Sequence, residues 1–326
     1  MKKISLALGI ALSVSLLWSA VAWACGGLVN PNGTVSLTRT TTLAGYRYGV
    51  EHYITSFEFQ GGDQEFGSIV PLPDIPSKVR RGGDWTLQRL VREVAPPAPE
   101  NAPTSADSGG GKAEELYETE IDSVKITILR GGGNAVGNWA KDNGFTLTPD
   151  APEVLDHYAK MSKIFMAARF DPKKAEDSGK EAGDGVPIHL NIPTNNPWVP
   201  FRILALGQAK ATVVEADVFL LTKREPTLSP APKEAGASSG TILERSEPAS
   251  QSLLSDLRSD KGARKGMRWV HRSSMWFTYL RINEEARDLT YDLATRVPDR
   301  ESRSDGAEGQ QAALPTSALW SWAAAV

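Results

Sequence analysis

Four stretches of this chain place apolar side chains at every second position, and that period commits much of it to strands with one buried face. Tyr53, Thr55, Phe57 and Phe59 share a face, as do Val124, Ile126 and Ile128, and Val186, Ile188, Leu190 and Ile192, while Val35 and Leu37 alternate with Ser36 and Thr38. Phe66 to Leu72 adds a run closed by Pro71-Leu72-Pro73, and Val213 to Leu221 adds another. Phe201 to Leu206 is apolar on both faces and reads as a central strand. A long strand is expected through Trp269, Val270, Trp276, Leu280 and Ile282, and a last one at Tyr291 and Leu293. Helical spacing is rarer. Leu87, Leu90, Val91 and Val94 fall at i, i+3, i+4 and i+7 behind Asp84 as N-cap. A short helix is expected around Trp139 and another over Leu253 to Leu257. A further helix starts at Asp150, with Glu153 reaching back to complete a capping box and Val154, Tyr158, Met161 and Phe165 on its buried side. The expected fold class is α+β and β-rich, with mostly antiparallel sheet and a few short helices.

Cys25 is the only cysteine in 326 residues, so no internal disulfide braces these sheets and packing alone must hold them. The chain opens with Lys2 and Lys3, an apolar run from Ile4 to Trp18, and Ala22-Trp23-Ala24, the small-x-small pattern of a cleavage site. That run is too short for a spanning helix, which needs about 20 apolar residues. Residues 1–24 therefore read as a signal peptide, with an exported, extracytoplasmic mature chain starting at Cys25. Three fates of Cys25 stay open: lipid attachment, for which Trp23 is an awkward neighbour, an intermolecular bridge, or no role beyond a small residue after the cut.

Without Lys2 and Lys3 the mature chain carries 34 basic and 39 acidic side chains, a net charge of −5 that argues against a nucleic-acid partner. Residues 25–296 read as one β-rich ectodomain with a disordered insertion at about 96–113, where four prolines and Gly109-Gly110-Gly111 offer no large apolar group to bury. Residues 297–326 read as a polar stalk and a short apolar tail from Ala318 to Val326. That tail is either the start of a membrane helix or a frayed apolar end.

The residue patterns imply no cofactor and no metal site. His52, His157, His189 and His271 stand far apart, with no second imidazole at i+2 or i+4. Gly67-Ser68-Ile69 is no nucleophile elbow. Gly131 to Gly137 imitates a dinucleotide-binding turn, but Val136 occupies the third glycine's place, so a simple tight turn is expected. The basic residues Lys261, Arg264, Lys265, Arg268 and Arg272 could meet anionic lipid or wall polymer if they shared a surface. Trp139, Trp198 and Trp276 are the candidates for an aromatic binding platform. Glu51, His52 and Asp84 are the candidates for a dispersed catalytic site of a hydrolase-like envelope enzyme. The leading expectation is a non-enzymatic binding or structural ectodomain whose partner is an envelope polymer or protein. Membrane association would come through lipid on Cys25 or a carboxy-terminal helix.

Several unbroken blocks carry a family resemblance. They are Cys25 to Val29, Gly49 to Tyr53, Gly67 to Pro73, Gly82 to Leu90, Phe165 to Phe170, Asn196 to Leu204 and Ala216 to Thr222. Over about residues 25–293 the chain resembles the bacterial domain-of-unknown-function 2330 family. The resemblance implies an exported bacterial protein of a kind often held by a carboxy-terminal membrane helix after a low-complexity stalk, and it implies no particular reaction.

Overall fold

The computed structural model describes residues 28–29, 36–60, 66–83, 85–94, 114–145, 147–171, 173–174, 187–260 and 266–298. Cys25, Asp84, the insertion at 96–113 and residues 299–326 lie outside the described residues.

In chain order the strands are β1 (Leu28–Val29), β2 (Ser36–Arg47), β3 (Val50–Gln60), β4 (Phe66–Leu72), β5 (Lys78–Arg81), β6 (Glu114–Ile121), β7 (Val124–Arg130) and β8 (Ile164–Phe170). They continue with β9 (Ile188–Pro193), β10 (Trp198–Val199), β11 (Val213–Thr222), β12 (Thr227–Ser229), β13 (Lys233–Glu234), β14 (Gly240–Pro248), β15 (Trp276–Glu285) and β16 (Leu293–Arg296). The helices are α1 (Thr86–Val94), α2 (Gly133–Asp142), α3 (Ala151–Met161) and α4 (Gln251–Ser259). The fold is α+β and β-rich, as the alternation predicts.

An eight-stranded sheet runs β13-β14-β15-β11-β2-β3-β9-β5. It is mixed, because β11 pairs parallel with β2 and β13 parallel with β14, while its other neighbours are antiparallel. A five-stranded antiparallel sheet runs β1-β4-β8-β7-β6, and β10, β16 and β12 form a third, small sheet. The large sheet buries both faces. One face, carrying Ala44, Tyr53, Leu190, Val218 and Leu280, joins a core shared with the five-stranded sheet, α2 and α3. The other, carrying Leu43, Ile54, Phe219 and Phe277, packs under α1, α4 and the segment around Trp269. Strand alternation sends consecutive residues to these two cores, so the central strands bury side chains on both sides, polar ones such as Thr41, Glu51, His52 and His189 among them.

Four expectations are corrected. Phe201 to Leu206 forms no strand: Arg202–Ala205 is a 3-10 turn. The N–H groups of Phe201 and Arg202 donate to Asp292 Oδ1 (2.9 and 3.1 Å) and that of Ile203 to the Tyr158 hydroxyl (2.8 Å), so side chains take the hydrogens a ladder would need. Trp269 likewise lies in a 3-10 turn, Gly266–Trp269, and the strand starts only at Trp276. The capping box at α3 does not form. Asp150 Oδ2 accepts from Gly207 N–H (2.9 Å) and Glu153 pairs with Arg202 (2.6 Å), so both carboxylates serve the 202–207 segment. Phe165 belongs to β8 rather than α3, because the chain turns extended at Ser162 and enters the five-stranded sheet between β4 and β7. At the glycine-rich turn, a side chain on Gly133 would overlap Asp156 and Leu155 of α3, so glycine there serves close helix packing.

Candidate functional site

Glu51 and His52 are neighbours on β3, so their side chains leave opposite faces of the large sheet. Glu51 points into the core shared with the five-stranded sheet and is 0% exposed. Its Oε1 accepts from Trp198 N–H at 3.1 Å, and its Oε2 is buried with no hydrogen-bond partner among the described residues. Burial pushes this carboxyl well above the usual carboxylate range, with only the Trp198 N–H acting against it. Among the described residues no cation sits beside it to favour the charged form.

His52 enters the opposite core. The register of β3, β9 and β5 brings it beside Asn191, places His189 opposite Ile54, and sets Arg80 opposite His189. His52 Nδ1 and His189 Nε2 lie 3.1 Å apart, Arg80 Nε donates to His189 Nδ1 at 3.3 Å, and Arg80 Nη2 donates to Asn191 Oδ1 at 2.7 Å. Arginine only donates, so His189 Nδ1 must accept. The His189 proton then sits on Nε2 and is donated to His52 Nδ1, which leaves the His52 proton on its own Nε2. The Arg80 guanidinium thus sets the tautomer of two rings in series. Burial first, and then Arg80, holds the His52 imidazole down to about pKa 3; His189, 0% exposed, is held well below its ordinary value by burial, Arg80 and His52.

Trp269 closes this cluster. Its ring stacks on His52 at 4.4 Å between centroids, nearly parallel, and lies over Gly45, which β2 places opposite His52. A side chain at Gly45 would overlap the six-membered ring of Trp269, so glycine is required by the close approach. The Trp269 turn is held by its backbone: Arg47 Nη1 donates to the Trp269 carbonyl at 2.7 Å, and Arg258 donates to the carbonyl of Val270. Among the described residues Trp269 Nε1 has no hydrogen-bond partner.

A second buried network lies at the start of the small sheet. Asp292 Oδ1 accepts from the Tyr158 hydroxyl (2.7 Å) as well as from the two backbone N–H groups of Phe201 and Arg202. Burial raises the Asp292 carboxyl to about pKa 6, against the pull of these donors.

Glu51 and His52 therefore do not share a site, and Asp84 lies outside the described residues, as does Cys25. Trp139 is buried in α2 and donates Nε1–H to Glu115 (2.9 Å). Trp198 and Tyr158 meet in a T-shaped contact (6.0 Å between centroids), and Trp276 donates to Ser246 Oγ (2.9 Å). The three tryptophans sit on separate elements and no ring contact joins them. Among the described residues no three His, Cys, Asp or Glu side chains gather to hold a metal ion, and no helix is long and apolar enough to cross a membrane. Arg80, Asn191 and Trp269, which complete the His52 cluster, had no signal in the sequence, because their convergence depends on strand register. Tyr158 and Asp292 meet across 134 residues for the same reason.

No curated protein matches the chain. Matches among solved structures include the caspase-8/P35 complex, at 8% identity over 82% of this chain and 94% of that one with a TM-score of 0.38. Two others are a mutated baculovirus P35 after caspase cleavage (7% identity, 78% and 95% covered, TM-score 0.36) and baculovirus P35 (10%, 80% and 94%, 0.35). Likeness at that score carries no argument about this chain. The family model described as "Uncharacterized protein conserved in bacteria (DUF2330)" matches residues 19–279, most of the sequence, and the protein belongs to that bacterial family.

Proposed function

We propose that this family member is an exported cell-envelope protein whose β-rich unit acts as a binding or structural ectodomain. The observation that supports the non-catalytic reading is the division of Glu51 and His52 between two cores. Each is engaged by internal partners, Trp198 N–H for the acid and His189 and Trp269 for the imidazole. A general acid or base must reach the proton it moves, and these two groups are instead buried on opposite faces of the large sheet. Export is supported by the Lys2-Lys3, Ile4 to Trp18 and Ala22-Trp23-Ala24 pattern.

The test is intact mass spectrometry of the protein recovered from the membrane and extracytoplasmic fractions of its own cells. A chain starting at Cys25 is expected, and an added diacylglycerol would identify Cys25 as the lipid attachment point. Recovery from the cytoplasm with Met1 to Ala24 intact would refute export. Turnover of any envelope polymer by the purified chain, lost on substituting surface polar residues, would refute the non-catalytic reading.

A further inference from the structure

Among the described residues Tyr48 is the large apolar side chain that stands out of the surface, 84% exposed. It occupies the tip of the β2–β3 hairpin at φ 56°, in the left-handed region that asparagine and glycine enter far more readily, and Gly49 follows at φ 73°. Arg47 supports the ring: its guanidinium carbon lies 4.5 Å from the ring centroid and Nη2 donates to the Tyr48 hydroxyl at 2.8 Å. The other end of the same guanidinium donates to the Trp269 carbonyl, which ties the tip to the 266–275 segment.

That segment brings two further cations. Arg268 and Arg272 are exposed, and neither has an acidic partner among the described residues. Arg272 stands in a tight turn in which His271 Nδ1 accepts from the N–H groups of Ser273 (3.3 Å) and Ser274 (3.2 Å). The whole chain is net negative, whereas the hairpin tip and the segment that Arg47 ties to it carry Arg47, Arg268 and Arg272 beside one projecting aromatic ring. An amphipathic ring among cations matches the composition of a protein surface at a membrane interface, where tyrosine sits at headgroup level and arginine meets lipid phosphates.

We propose that the tip formed by Arg47, Tyr48, Arg268 and Arg272 docks on an anionic lipid surface. The proposal rests on the exported-envelope reading, which puts the chain beside a membrane, but it fails separately: vesicle binding can be absent while the recovered chain still starts at Cys25. A soluble anionic polymer has no apolar layer for the ring and would engage the guanidinium groups alone.

The experiment is co-sedimentation of the chain from Cys25 onward with vesicles of phosphatidylcholine, with and without phosphatidylglycerol. Binding is expected only with phosphatidylglycerol, weakening as salt is raised. The double variant Arg268→Glu, Arg272→Glu should bind roughly tenfold more weakly or worse. Tyr48→Asn, which suits the left-handed turn and keeps the fold, should bind several-fold more weakly. Nitration of Tyr48 by tetranitromethane, mapped by peptide mass, should slow when anionic vesicles are bound. Equal binding by all three chains with nitration unslowed overturns the proposal. So does tight capture of soluble polyphosphate that depends on the arginines and is indifferent to Tyr48→Asn.

Discussion

His52 and His189 are held neutral in the fold and become free to take protons when the chain unfolds. Their folded pKa values lie below the ordinary 6.5, so the unfolded state binds more protons below that pH and stability is lost as pH falls through about 6.5 toward 3. Each histidine that titrates only on unfolding contributes a slope of about 1.4 kcal/mol per pH unit. Urea midpoints measured from neutrality down to about pH 5 should therefore drop, and His52→Phe should flatten that drop. The same variant keeps a flat ring on Trp269 but strands the His189 Nε2 proton, so it should cost about 1–3 kcal/mol at neutral pH. Asp292 works in the opposite sense. Its carboxyl is raised to about pKa 6, so its contribution is fully present below the unfolded value near 3.8 and is lost as pH rises through 6. Asp292→Asn, which remains neutral while still accepting from Phe201 and Arg202, should gain up to about 3 kcal/mol relative to the parent above pH 6 and nothing near pH 4. Thermal midpoints across that range would show the difference. At Gly45 the requirement is steric: Gly45→Ala pushes Trp269 off His52 and should destabilise by about 1–3 kcal/mol, with a changed tryptophan signal in the near-ultraviolet circular dichroism.

The β2–β3 hairpin carries its own prediction, because a tyrosine at φ 56° costs about 1–2 kcal/mol that glycine avoids. Tyr48→Gly should raise the thermal midpoint while leaving the two cores intact. Strands were the legible elements here, and those with clean alternation, β3, β7 and β9, appeared where Tyr53, Ile126 and Leu190 placed them. The segment 201–206 has the same apolar density and fails to pair, since Asp292 and Tyr158 capture its backbone hydrogens from 90 and 45 residues away in sequence. No local pattern encodes that capture. β6 was missed because Glu114, Glu115, Glu118 and Glu120 hide its period. They are tolerable on this edge strand because Arg130, Lys125 and Lys174 pair with three of them. The candidate pair Glu51 and His52 shows the converse limit: adjacency in a strand sequence guarantees separation in space.

At the scale of the whole molecule, the pH responses of the histidine pair and of Asp292 oppose each other between about pH 4 and 6, so the parent's loss of stability on acidification there should be shallower than that of Asp292→Asn, and that of His52→Phe, with one histidine fewer, shallower still. The lone cysteine leaves the two cores on either side of the large sheet as the main source of stability. That sheet also has a temporal consequence. β2 lies at its centre between β3 and β11, and Thr40 of β2 pairs with Ala216 of β11. A chain emerging amino terminus first can close the β2–β3 hairpin early, but one edge of that hairpin stays bare until β11 is made, and β11 in turn waits for β15. Such distant pairing slows folding and keeps the growing chain open and threadable for most of its length, a state in which a narrow translocation channel could still accept it.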